Sequence, residues 1–363
     1  MSEGSVGVSD VPSAWRERIR QAAAADTLLR IVGRGTKDFY GQELCGETFE
    51  TVAYAGVVDY DPTELVITAR CGTPLAEIEQ TLRAEGQMLG FEAPQFGRAA
   101  TLGGCVAAGL SGPRRPYAGA VRDLVLGVRL LDGRGEDLSF GGRVIKNVAG
   151  FDVSRAIAGS LGTLGVMLEV SLKCQPLPRV EASRVLELTA DQAIERMNKW
   201  GGQPLAINAT CFYDDRLYVR LAGAQSAVTA AADAVGGVPL PEPEAFWSSL
   251  RDQVHSFFTT DPDLPLWRLS LRSTTPFIAL GGPQLLEWGG GLRWLKANPQ
   301  TDPAQLRRWA SEHGGHATLY RGADKSAGAF QRPDEPLLRI LRELKSAFDP
   351  RGIFNRHRMY PDF

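Results

Sequence analysis

Histidine is scarce in this chain, with four in 363 residues and none before His255. No CxxC occurs among the five cysteines (Cys45, Cys71, Cys105, Cys174, Cys211). Their odd number and wide spacing encode neither an iron–sulfur cluster nor a disulfide framework, and point to a reducing compartment. No run of Lys and Arg exceeds two residues, and the net charge is −2 with a pI near 6.2, so the electrostatic footprint of a nucleic-acid binder is missing. No window approaches the roughly 18 uninterrupted apolar residues of a spanning helix, and the first thirty residues lack a basic segment followed by an apolar one. Direct membrane insertion and a signal peptide are therefore not expected. The phosphate-loop pattern GxxxxGK[ST] is also absent.

Glycine is what the chain has in quantity, and it is unevenly placed: 15 of the 40 glycines lie between Phe96 and Val166. They fall in runs such as Thr101-Leu102-Gly103-Gly104 and Gly159-Ser160-Leu161-Gly162-Thr163-Leu164-Gly165-Val166, between segments of ordinary core composition. The stretch is not a linker; its backbone is expected to come close to a large flat ligand where a Cβ would obstruct it.

In chain order, residues 1 to 12 read as a frayed start, Ser13–Ala25 as a helix and Leu28–Val32 as a strand. That strand runs into Gly33-Arg34-Gly35-Thr36-Lys37-Asp38, a turn that is either a cradle of backbone N–H groups for a pyrophosphate or a surface turn after an edge strand. A second strand lies within Val57–Arg70. Thr73 and Pro74 are read as the N-cap and first residue of a helix that carries Leu75, Ile78 and Leu82 on one face and ends at Gly86. Thr101 precedes a short Gly/Ala-rich helix (Gly103, Gly104, Ala107, Ala108), whose small face either receives a flat ring or packs closely on the sheet. Leu124–Leu131 and Glu136–Phe140 form a hairpin about Asp132-Gly133. Asp152 is read as the N-cap of a helix ending near Gly159, and Val166–Lys173 alternates as a half-buried antiparallel strand.

Gly33-Arg-Gly-Thr-Lys-Asp, Ala100-Thr-Leu-Gly-Gly, Lys146-Asn-Val-Ala-Gly-Phe-Asp-Val and Gly159-Ser-Leu-Gly-Thr-Leu-Gly-Val, in that order and spacing, resemble the FAD-binding domain of the vanillyl-alcohol oxidase and p-cresol methylhydroxylase superfamily. The resemblance implies an α+β fold in which a two-subdomain PCMH-type FAD-binding domain (residues 1–178) is followed by a small ferredoxin-like α+β cap (residues 179–335). A C-terminal helix and tail (residues 336–363) would return to the flavin domain. It implies that Arg34, Gly35, Thr36, Lys37 and Asp38 cradle the pyrophosphate. Thr101, Leu102, Gly103 and Gly104, with Ala107 and Ser111, would run along the pyrophosphate and flavin, while Gly159, Gly162, Gly165 and Val166 would border the adenine and Asn355 would reach the flavin face. On that basis Gly103→Val or Gly162→Val should abolish flavin retention and leave the cap folded. Covalent members carry a histidine near the phosphate loop; this chain has none there, so FAD is expected to be non-covalent.

Residues 180–236 read β-α-β-β-α, followed by strands at Leu266–Leu271 and around Leu285–Leu295, a helix at Pro303–Glu312, and a last helix from Leu337 to Phe348. Ser111-Gly-Pro-Arg-Arg-Pro-Tyr, Glu287-Trp-Gly-Gly-Gly-Leu-Arg-Trp and Asp349-Pro-Arg-Gly-Ile-Phe-Asn355-Arg356 are similar to the FAD-binding subunit family of three-subunit bacterial glycolate oxidases. That likeness implies a catalytic FAD-binding partner, an iron–sulfur partner, a small 2-hydroxy acid as substrate of the complex, and a cytoplasmic location, peripheral at the membrane's inner face through partners. Oxidising such an acid needs a base for the hydroxyl proton and a cation for the carboxylate. Of the cap cations Arg268, Arg272, Arg293 and Arg321, the chosen pair is Arg268 and Arg293, in strands beside Trp267, Trp288 and Trp294. Trp288 either roofs the flavin or is a core residue, and the core reading is favoured. No convincing base is visible, and His313 and His316 read as a helix end followed by a strand rather than a metal pair. The missing base favours an electron-relaying subunit over a self-sufficient dehydrogenase.

Overall fold

A computed structural model of the chain describes residues 10–97, 99–142 and 151–362. The Lys146-Asn147 motif and residues 1–9 lie outside them. The first helix, Val11–Ala25, begins inside the stretch expected to be frayed, because Pro12 suits the first turn and Val11, Trp15, Ile19 and Ala22 share one buried face. The Leu29–Val32 strand pairs in parallel with Glu47–Glu50 and delivers the chain into the turn at Gly33.

A five-stranded antiparallel sheet forms the core of the N-terminal half, in the order Val57–Asp61, Val66–Arg70, Val166–Lys173, Val125–Leu131, Asp137–Gly141. Val166–Lys173 departs from the half-buried reading. It is the central strand, so Met167 and Ser171 are buried along with the aliphatic row, and Glu169 is held by Arg129 at 2.9 Å. The helix Leu75–Ala84 buries Leu75, Ile78 and Leu82 as expected, but its N-cap is Pro74. The Thr73 hydroxyl instead accepts from the Gly56 amide and donates to the Arg70 carbonyl, stapling the preceding turn. Asp152 likewise lies inside the Phe151–Ile157 helix rather than capping it.

The second half is built on one eight-stranded antiparallel sheet, larger than the small cap expected. Val180–Glu187, Ile207–Tyr213 and Arg216–Gly223, with the helices Ala190–Gly201 and Gln225–Val235, occupy the β-α-β-β-α positions read from the sequence. The sheet continues past Ile207–Tyr213 through Gln284–Glu287, Leu292–Lys296, Leu266–Ser270 and His316–Arg321. Helices cover one face. The other carries Leu285, Leu292, Trp294 and Tyr320 against Tyr40, Ala108 and Leu110 of the first half, giving a shared apolar core.

The C-terminal helix Glu335–Phe348, capped by Asp334, crosses back to the first sheet, where Phe348, Ile353 and Phe354 join its core. Buried Lys345 donates to Asp349 at 2.6 Å and to the carbonyls of Thr163 and Phe354 at 2.7 and 3.0 Å. One buried cation thereby ties the tail to the glycine-rich segment.

Candidate functional site

The turn after Leu29–Val32 is held from one side only. Lys325 donates to the carbonyls of Phe39 and Gly41 at 2.8 and 2.6 Å, and buried Arg358 donates to those of Asp38, at 2.9 Å, and Gln42. On the other side, the backbone N–H groups of Arg34, Gly35, Thr36 and Lys37 make no hydrogen bond to any described residue. Gly35 has φ +69°, the left-handed conformation that lets successive amides converge. Four adjacent free donors on a loop whose carbonyls are anchored elsewhere form an anion cradle. Lys37 and Arg321 add charge: both lie over the Phe96 ring, at 5.5 and 5.4 Å, and burial lowers the pKa of each. The side chains of Arg34 and Asp38 are exposed.

Thr101 caps the helix Leu102–Ala108 by accepting from Gly104 N–H at 3.2 Å. The amides of Leu102 and Gly103 are already used, on the carbonyls of Thr73 and Cys71. Of the amides from Thr101 to Gly104, only that of Thr101 lacks a hydrogen bond to a described residue; what the helix offers is bare surface. A Cβ on Gly104 would meet only the Thr101 hydroxyl, and Gly104 and Ala107, three residues apart, are the helix residues not fully buried. Gly103 differs, since its Cβ would sit 2.9 Å from Cys71 Cβ, the close helix–sheet packing weighed as the alternative.

The 159–166 segment divides similarly. Gly159 has φ +91° and open space where its Cβ would be. A Cβ on Gly162 would meet Asn355 Nδ2 at 2.7 Å, one on Gly165 the Leu131 carbonyl at 2.6 Å, and Val166 is fully buried in the central strand. Protein packing alone explains those three. Asn355 is buried too: its amide oxygen accepts from Ile31 N–H at 2.8 Å and its amide nitrogen donates to Leu161 O at 2.6 Å, so it joins the strand before the cradle to the glycine loop. The Ser111 hydroxyl accepts from Val121 N–H at 3.2 Å.

Opposite the small helix face stands the wall of the second half. Trp288 is half-buried, packs against the shared apolar core and donates its indole N–H to Gly112 O at 3.0 Å, across the two halves. Arg268 lies 5.1 Å from its ring centroid, and Arg115, from the Ser111-Gly-Pro-Arg-Arg motif, lies at 4.4 Å. Arg115 had no assigned role in the sequence; only the fold brings it across to Arg268. Burial, then the charge of Arg268, depresses Arg115 to about 10. Arg293 is a correction. It pairs in register with Leu269, whereas Arg268 pairs with Trp294, so strand alternation puts it on the helix-covered face. There it is fully buried and donates to the carbonyls of Thr275, Pro276 and Gly290, so each guanidinium nitrogen is already engaged within the second half.

The wall also holds a group the sequence did not mark. Glu287 is buried beside Trp288. One carboxylate oxygen accepts from the Trp294 indole at 2.8 Å and the other has no partner. Burial raises its pKa to about 7 against the opposing pull of Trp294 and Arg268. His313 ends its helix with Nδ1 2.8 Å from Trp309 O, and His316 opens the next strand, as read. No group of three or more metal-type ligands occurs among the described residues.

A free-amide cradle, a bare helix face and an apolar wall suit a dinucleotide with a flat ring, and similarity to known proteins agrees. The family model described as "FAD binding domain" matches residues 12–141. The glycolate oxidase subunit GlcE of Escherichia coli (strain K12) is 45% identical over 97% of this chain and 98% of its own length. The glycolate oxidase subunit GlcD of Bacillus subtilis (strain 168) is 28% identical over 42% of this chain and 33% of its own. Among solved structures, an alkyldihydroxyacetonephosphate synthase superposes with a TM-score of 0.64 at 15% identity, over 95% of this chain and 75% of that one, which shows a shared fold. By its full-length identity to GlcE the chain belongs to the family of that glycolate oxidase subunit, an FAD-dependent oxidoreductase family of the PCMH-type fold.

Proposed function

We propose that this chain is the FAD-binding subunit of a multi-subunit oxidase of small 2-hydroxy acids such as glycolate, and that it relays electrons from a catalytic flavoprotein partner to an iron–sulfur partner. The carrying observation is the run of free amides at Arg34–Lys37 facing the bare surface of Gly104 and Ala107. The amides, with Lys37, hold the pyrophosphate of a non-covalent FAD; Gly104, Ala107 and Gly159 leave room for the rings. Bound flavin supplies two-electron acceptance with one-electron release. The protein's part is to seat it, exclude water with the Tyr40, Trp294 and Tyr320 wall, and present the partners' surfaces. The boundaries at residues 178 and 335 belong to the same proposal. No described helix is long and apolar enough to cross a membrane; we place the chain in the cytoplasm, with membrane contact made by its partners.

One observation favours a second reading, a self-sufficient dehydrogenase of glycolate or D-lactate. Glu287, with an unpartnered oxygen and a pKa near neutrality, is the proton acceptor that the sequence lacked, and Arg268 and Trp288 stand beside it as substrate-binding groups. Mixing the purified chain anaerobically with glycolate or D-lactate separates the two. The relay reading expects the flavin band at about 450 nm to persist, and bleaching rejects it. A preparation that takes up no FAD rejects both.

A further inference from the structure

We infer that Arg115 and Arg268 form an anion clamp across the junction of the two halves, with Trp288 as its wall, built for the carboxylate of a small organic acid. The choice of a carboxylate over other anions rests on the second reading above, in which this chain itself binds the 2-hydroxy acid; the clamp itself rests on geometry. The two guanidinium groups come from different halves of the molecule and share one indole, at 4.4 and 5.1 Å from its centroid. Neither makes a side-chain hydrogen bond or ion pair with any described residue. Of the other arginines near this junction, Arg114 is paired with Glu92 and Glu181, Arg220 with Glu92 and Arg251 with Asp252, while Arg321, over Phe39 and Phe96, has no ion pair with a described residue. Asp123, whose charge reaches Arg115, is bonded to the Ala120 amide instead.

Two like charges held half-buried without a counter-ion are unfavourable in the free protein, and that cost is relieved when an anion enters. Further groups converge on the spot. The buried Tyr40 hydroxyl and the His316 imidazole both feel the charges of Arg268 and Arg115, and His316 is pushed below its usual value by desolvation and then by those two arginines. Two guanidinium forks beside a flat indole leave paired N–H donors for the two oxygens of a carboxylate.

The test is calorimetric titration of the flavin-loaded full chain with oxalate and, separately, with inorganic phosphate. Oxalate should bind saturably at one site per chain. Affinity should fall about ten-fold or more in Arg115→Gln and in Arg268→Gln, and stay unchanged in Arg122→Gln, which removes an exposed charge from the same neighbourhood. Flavin content per chain, measured on every variant, reports that each is folded. Absence of oxalate binding to a flavin-loaded wild-type chain overturns the clamp and leaves the cofactor reading intact. Oxalate affinity unaltered by both substitutions, or phosphate binding as tight as oxalate, also overturns it. A chain that binds oxalate but takes up no FAD supports the clamp and rejects the cofactor reading.

Discussion

Gly103 and Gly104 are adjacent in the chain and have opposite surroundings, so they should respond differently to the same substitution. A valine at Gly103 must displace Cys71 at the end of a core strand, whereas one at Gly104 meets only the Thr101 hydroxyl, at 3.2 Å. Gly104→Val should lose FAD and keep its unfolding midpoint. Gly103→Val should cost about 1–3 kcal/mol of stability through overpacking. Urea unfolding together with flavin absorbance distinguishes the two, and a Gly104→Val protein with full flavin occupancy would contradict the ring face assigned here. Gly162→Val is unsuited to this purpose, since φ +74° and the Asn355 contact make it a folding lesion first. His316 yields a pH prediction. Its depressed pKa leaves it neutral at pH 7, so oxalate affinity should rise as the pH falls below the ordinary imidazole range of about 6.5 and a third positive charge forms. The Leu75, Ile78, Leu82 stripe was legible in the sequence because it depends on neighbours a turn away. Arg293 was not, because its face is set by strand register with Leu269, which no local pattern records.

Between elements, the halves are joined by charges rather than by a continuous sheet. Glu92, on the loop after the Leu75–Ala84 helix, accepts from Arg220 of the second sheet at 2.8 Å and from the Arg114 amide at 3.0 Å, while Arg114 reaches Glu181 at 2.8 Å. Burial would raise the Glu92 pKa, but Arg220 and Arg114 outweigh it and hold the carboxyl below its usual value. Its stabilising contribution is therefore present above the unfolded-state value and is lost as the pH falls through the folded one, so stability should decline on acidification below about pH 4. Glu92→Gln leaves two buried guanidinium groups without their shared carboxylate, and should cost about 3–5 kcal/mol in urea unfolding at pH 7. A loss under 1 kcal/mol would mean that water reaches these groups. The β-α-β-β-α order of residues 180–236 could be read from periodicity. The merging of its strands with five later ones, the edge strand Val238–Pro239 included, into a single sheet could not, since pairing Ile207–Tyr213 with Gln284–Glu287 spans about seventy residues of chain.

At the scale of the whole molecule, the family motifs marked the FAD-binding family, whose model matches residues 12–141, because their order and spacing are properties of the chain itself. What they could not show is how the cradle is supported. Its carbonyls are gripped by Lys325, 286 residues downstream of Phe39, and by Arg358, 320 residues downstream of Asp38, while Asn355 holds Ile31 at a separation of 324. The segment that looks like a self-contained cofactor domain thus lacks its scaffold until Lys325, Asn355 and Arg358 have packed onto it. Chains ending at Pro178 or Asp334 should stay colourless when incubated with FAD, even where they are helical and soluble, and a yellow Asp334-terminated protein would show that the cradle holds its shape without the tail. For such a protein the stretch from Asn355 to Arg358 decides whether the first forty residues can do their work, and its loss to a protease would release the cofactor without cutting the cradle itself.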